Sequence, residues 1–121
     1  MATILCIDDE VAGLKVRRLL LESAGHRVLE APNGQDGIKI FRSQPVDLVI
    51  LDYWMPGMRG TDVAGELKRI NPAVPIVILS ALAQLPGESA MADRWLLKGY
   101  SAKDLLETVD VLSRRLNSAS G

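Results

Sequence analysis

The chain has 121 residues, 48% of them hydrophobic, enough for one compact domain with a real core and too few for two. Its 14 basic and 15 acidic residues leave a formal charge of −1, and without a dense Lys/Arg block this excludes the electrostatic footprint of an autonomous nucleic-acid or anionic-membrane binder. Cys6, the single cysteine, cannot form an internal disulfide, no apolar run approaches the ~20 residues of a membrane span, and the early Asp8-Asp9 pair argues against a signal peptide, so a cytoplasmic location is expected.

Short apolar runs alternate with amphipathic segments, the pattern of repeated βα units. Thr3 to Ile7 read as the first strand, with Cys6 as a small core thiol. In the helix that follows, Ala12, Val16, Leu19 and Leu20 recur at helical spacing and are expected inward, leaving Lys15, Arg17, Arg18 and Glu22 on the other face. Gly25 ends that helix, and His26 is expected as a solvent-exposed turn residue. Val28 to Ala31 form a weaker strand, and Asn33 caps a helix through Ile38 and Phe41 to about Gln44, weakened inside by Gly37. Beyond the break at Pro45, Asp47 to Leu51 are apolar after the first residue, as in a central parallel strand covered on both faces. Thr61 or Asp62 caps a third helix with Val63, Leu67 and Ile70 inward, and Pro72 and Pro75 bracket the turn into the strand Ile76 to Leu79. Leu82 to Arg94 show little periodicity and leave room for at most two turns of helix, at Glu88 to Asp93, before a strand at Trp95. Ser101 with Asp104 makes a capping box for the last helix, whose Leu105, Val109, Leu112 and Leu116 share a stripe; residues 117–121 are expected to fray.

Polar residues stand at the ends of these apolar runs: Asp8 and Asp9 after the first, Asp52 after the third, Ser80 after the fourth, Lys98 after the last. Parallel strands bring their carboxyl ends to one edge, where open α/β sheets place ligands. Three carboxylates gathered there repel one another unless a metal ion or the lysine compensates them.

Taken together, Asp8-Asp9-Glu10, Asp52 within Leu-Asp-Tyr-Trp-Met-Pro-Gly-Met-Arg-Gly, Ser80-Ala81 and Lys98 resemble a two-component response regulator receiver domain, as do Asn33-Gly34 and Pro45-Val46-Asp47-Leu48-Val49. The resemblance covers nearly the whole chain and implies one receiver domain over 1–121. It implies an α/β flavodoxin-like fold, a doubly wound five-stranded parallel sheet of order 2-1-3-4-5 with a shortened or irregular fourth helix. Asp52 would be the phosphoacceptor, forming an acyl phosphate. Magnesium, with manganese as a substitute, would be held by Asp9 and Asp52 directly, by Asp8 through water and by the backbone carbonyl of Trp54. Lys98 and Ser80 would contact phosphoryl oxygens, and Ser80 moving inward would let Trp95, bulkier than the family's Tyr or Phe, turn into the vacated space. Trp54 and Leu82 would flank the phosphate and hinder the attacking water. The implied partners are a sensor histidine kinase or histidine phosphotransfer protein, a downstream effector and a second copy in a phosphorylation-dependent dimer, with no direct nucleic acid and no membrane. Such a domain phosphorylates and dephosphorylates itself and is not an enzyme on external substrates.

Three features depart from the family pattern: Gly99 replaces the proline that normally follows the lysine, the stretch from Ser80 to Lys98 is short, and Arg59 adds a cation near the pocket mouth. Two other readings compete. A receiver-like interaction module that is never phosphorylated is disfavoured by the complete set of acids, hydroxyl and lysine. A phosphohydrolase with an aspartyl nucleophile usually carries a second acid two residues on, where this chain has Trp54. Weaker than either is a dinucleotide binder, for no Gly-x-Gly-x-x-Gly follows the first strand.

Overall fold

The computed structural model describes residues 1–81 and 92–120, with side chains through Arg114. Its strands are β1 (Thr3–Ile7), β2 (Arg27–Ala31), β3 (Leu48–Asp52), β4 (Ile76–Ser80) and β5 (Arg94–Leu97), and its helices α1 (Val11–Ser23), α2 (Gly34–Ser43), α3 (Gly60–Ile70) and α4 (Ala102–Ser120). The strands form one parallel sheet in the order β2-β1-β3-β4-β5, as expected. Of the helical turns expected at Glu88 to Asp93, residues 88–91 lie outside the described residues, and Ala92 and Asp93 are not helical.

Alternation along each strand sorts side chains onto two faces. Leu5, Ile7, Val49, Leu51, Ile76 and Ile78 pack with Phe41 of α2 and with Val63 and Leu67 of α3. Ile4, Cys6, Leu48, Ile50, Val77 and Leu79 pack on the other side with Leu14 and Leu21 of α1 and with Leu105, Val109 and Leu112 of α4. Every residue of β3 is buried, so its uninterrupted apolar run marks the centre of the sheet. Burial pushes the Cys6 thiol up to about 12, the inert core thiol expected.

Helix caps follow the sequence in two places and depart from it in a third. Asn33 Oδ1 accepts the Asp36 N–H at 2.8 Å, and Ser101 Oγ accepts the Asp104 N–H at 3.0 Å. The third helix begins at Gly60 rather than after Thr61 or Asp62: Arg59 takes the cap position and Asp62 reaches back to accept its N–H at 3.2 Å. That helix buries Val63, Ala64 and Leu67 but leaves Ile70 exposed. His26 is half-buried rather than a free turn residue, its Nδ1 accepting the Ala2 N–H at 3.1 Å.

The expected inward face of α1 is incorrect except at Leu20, which is half-buried against the core while Ala12 is exposed. Val16 and Leu19 are 58% and 70% exposed, and Leu14, Arg17 and Leu21 are the buried residues. Apolar residues occupy both sides of this helix, and the inward stripe is interrupted by an arginine whose charge is met inside the protein.

Two glycines mark close approaches. A Cβ on Gly37 would lie 2.3 Å from Ile7 Cδ1, so this residue, weak in helix propensity, is what lets α2 seat on β1. A Cβ on Gly60 would lie 2.7 Å from the Asp52 carbonyl oxygen and 2.8 Å from Tyr53 Cα, both backbone atoms that cannot turn aside. Gly60 N–H also donates to the Tyr53 carbonyl at 2.6 Å. Gly60→Ala is therefore expected to destabilise the protein by about 1–3 kcal/mol through overpacking, read as a lower urea midpoint. A midpoint equal to that of wild type would show that the approach of α3 to β3 is not sterically limited.

Candidate functional site

Neighbouring strands deliver the polar residues to one edge of the sheet. Asp8 and Asp9 directly follow β1, Asp52 ends β3, Ser80 ends β4 and Lys98 directly follows β5. Parallel register sets Asp52 beside Leu79 and Ser80 beside Leu97, and the Lys98 N–H donates to the Ser80 carbonyl at 2.7 Å, tying the last two strand ends together. One carboxylate oxygen from each of Asp8, Asp9 and Asp52 lies within 4.8 Å of the others. A cavity of about 450 Å³ opens there, lined by Asp9, Asp52, Trp54, Ser80 and Lys98 among others. Trp54 stands at its mouth, 73% exposed. Leu82, expected opposite it, lies outside the described residues. Gly99 has φ 101°, a conformation closed to a proline with φ near −65°, so the departure from the family pattern has a backbone reason.

Asp8 and Asp52 are each only 2% exposed. Burial raises the Asp52 pKa, Lys98 pulls it back, and the charges of Asp8 and Asp9 raise it further, leaving it above its ordinary value. For Lys98, burial opposes the charge but is outweighed by Asp52, Asp8 and Glu10, and the net direction is upward. Lys98 Nζ stands 2.9 Å from Asp52 Oδ1 and 3.7 Å from Glu10 Oε1. The first contact is an ion pair, and no other donor reaches the buried Asp52 Oδ1 among the described residues. A buried carboxylate oxygen met only by that ammonium, among three converging carboxylates, fits a hard divalent cation that takes oxygen ligands.

Sequence reasoning missed the residues behind the pocket. Arg17 pairs with Asp8 Oδ2, and its Nη1 donates to the Tyr100 hydroxyl at 3.3 Å. Glu10 sits beside Lys98, and its backbone N–H donates to Asp8 Oδ1 at 2.9 Å. The available signal was Gly13, one helical turn before Arg17, which leaves space for a side chain folded back toward the strand. Trp95 packs on Tyr53 beside the core, with ring centroids 5.6 Å apart and planes at 48°.

The sequence and the fold were compared with those of known proteins. Residues 4–110 match the family model described as the response regulator receiver domain. The phosphate regulon transcriptional regulatory protein PhoB of Pseudomonas aeruginosa is 32% identical over 119 residues, covering 93% of this chain and 52% of PhoB. The chain spans about half the length of the curated relatives it matches. Among solved structures, the response regulator TrrA from Thermotoga maritima, in complex with Mg(2+)-BeF, is 34% identical with a TM-score of 0.88, covering 93% of this chain and 99% of TrrA. A receiver domain protein from Clostridium thermocellum gives 31% identity and a TM-score of 0.87, covering 98% and 99%. No helix among the described residues is long and apolar enough to cross a membrane.

Proposed function

This chain belongs to the response regulator receiver domain family, and from that premise we propose that Asp52 accepts a phosphoryl group from a phosphohistidine or a small acyl phosphate and that the resulting change alters partner binding. The single observation that carries this is the convergence of Asp8, Asp9 and Asp52 to within 4.8 Å of one another, with Lys98 Nζ at 2.9 Å from Asp52. Asp9 and Asp52 would hold a divalent cation, magnesium above all, with Asp8 behind them and the Trp54 carbonyl as a further oxygen. When bound, that ion supplies neutralisation of the carboxylates and of the incoming phosphoryl oxygens.

The chain's own residues do the rest. An Asp52 carboxylate oxygen forms the new O–P bond while the donor's bond to phosphorus breaks and the leaving group departs with the electron pair. Lys98, held near Asp52 on a flexible stem, is placed to follow a phosphoryl oxygen as a point charge. Ser80, only 3% exposed at the end of β4, is the hydroxyl within the same cavity that can donate to another. Movement of Ser80 would be felt through its backbone bond to Lys98 and so at β5, where Trp95 lies. Such a device shifts a population between two packings. We further propose that residues 1–121 act as one receiver domain, that the donor is a sensor histidine kinase or histidine phosphotransfer protein, and that the output passes through an effector or a second copy.

Incubation with a small acyl phosphate and magnesium, read by intact mass, tests the reading. The expected outcome is the mass gain of one phosphoryl group, lost when the metal is chelated. An unmodified mass with magnesium present would favour the competing reading, an interaction module without phosphoryl chemistry.

A further inference from the structure

Asp8 is surrounded on its inner side by this chain's own donors. Its Oδ1 accepts the Glu10 N–H at 2.9 Å and its Oδ2 pairs with Arg17. Both carboxylate oxygens are therefore engaged before any metal arrives. Arg17 is reached through a separate cavity of about 560 Å³ between α1 and the start of α4, lined by Gly13, Arg17 and Tyr100, and sharing Glu10 and Lys98 with the cavity of the acceptor. Space for the guanidinium is built in. A Cβ on Gly13 would lie 3.3 Å from Arg17 Nη2 and 3.6 Å from Asp8 Oδ2, so a larger residue would crowd the pair. Tyr100 secures the other end of the fork through its hydroxyl. Arg17 Nε is buried without an acceptor among the described residues, a desolvation cost that its charge pairing must offset.

A buried arginine on a carboxylate of a divalent site has a consequence for that site. Like-charge repulsion among three acids falls when one of them is neutralised in place, and the same cation repels a dication drawn to the group. We infer that Arg17 is a resident counter-ion of the acidic pocket, stabilising it without metal and lowering its magnesium affinity below that of three free carboxylates. Arg17 touches neither the acceptor oxygen nor the phosphoryl group on this view, and acts through Asp8 as a positioning residue. The inference rests on the metal site proposed above.

The test is a magnesium titration of wild type, Arg17→Met and Arg17→Lys, followed by the fluorescence of Trp54 at the pocket mouth and by melting temperature with and without metal. Arg17→Met is expected to bind magnesium roughly tenfold more tightly, to melt lower than wild type without metal, and to gain more on metal addition because ligand binding to the folded state raises stability. Arg17→Lys, which keeps the charge, is expected to stay near wild type in affinity. An arginine serving only as packing would lower the melting temperature of Arg17→Met equally with and without magnesium. Unchanged or weaker magnesium binding by Arg17→Met, with wild type binding normally, overturns the role of Arg17 alone. Absence of binding in all three chains overturns the metal site itself and this inference with it. Should Arg17→Met be unfolded without metal, saturable recovery of structure by magnesium supports the inference and failure to recover overturns it.

Discussion

Asp52→Asn is expected to abolish the phosphoryl mass gain completely and, in the absence of metal, to melt a few degrees higher than wild type. The first effect follows from chemistry, since an amide oxygen lacks the charge that makes the carboxylate a nucleophile. The second follows from the direction of the Asp52 pKa. Burial, then the charges of Asp8 and Asp9, raise it above the unfolded value despite Lys98. For a carboxyl raised on folding, the stabilising contribution is present in acid and is lost as pH rises through the folded-state pKa, so at neutral pH the ionised group opposes folding. Asparagine keeps the shape and removes that charge. A few degrees is the shift that an order-of-magnitude relief of this kind produces in a domain of this size, and the stabilisation by magnesium should shrink with it because one direct ligand is lost. Mass spectrometry and metal-free melting read the two effects separately. A phosphorylated Asp52→Asn would place the acceptor elsewhere, and a lower metal-free melting point would show that the pocket is not crowded with negative charge.

Much of the fold was legible because β3 and β4 are apolar on both faces. Continuous runs such as Leu48 to Leu51 and Ile76 to Leu79 have few solutions other than central parallel strands, and each ends in a polar residue that can only face the open edge. Strand pattern alone therefore brings Asp52, Ser80 and Lys98 to one edge. Caps were equally legible where a short side chain could reach the third N–H, as at Asn33 and Ser101. The α3 cap was not, because the helix begins at Gly60, ahead of the hydroxyl of Thr61 and the acid of Asp62 that signal it.

Arg17 was illegible for a different reason. Hydrophobic periodicity treats a charged residue as an outward vote, and here the vote is wrong because a partner 9 positions earlier in the chain, Asp8, neutralises it inside. The same misreading turned the whole of α1 by nearly half a turn. His26 follows the same logic on a smaller scale: a histidine after a helix-ending glycine reads as exposed, yet its ring accepts a backbone N–H brought by the chain's own start. In both cases the deciding contact joins segments that local pattern keeps apart.

The orientation of α1 makes a sharp contrast between two leucines five residues apart in sequence. Leu14 is 4% exposed and packs with Cys6, Ile50 and Leu79 in one core layer, whereas Leu19 is 70% exposed. Truncating the first removes buried methyl groups and leaves a cavity beneath the sheet, so Leu14→Ala is expected to cost about 2–5 kcal/mol. Leu19→Ala removes surface already in water and should stay within about 0.5 kcal/mol of wild type. Urea unfolding followed by circular dichroism reads both, with unchanged slopes if only stability moves. Equal losses in the two variants would mean that α1 presents its Val16–Leu19 side to the core after all, and would remove Arg17 from Asp8 in the same stroke, because a rotation that buries Leu19 carries the guanidinium out to solvent. The helix face and the charge state of the acceptor pocket are thus one structural fact, measurable at either end.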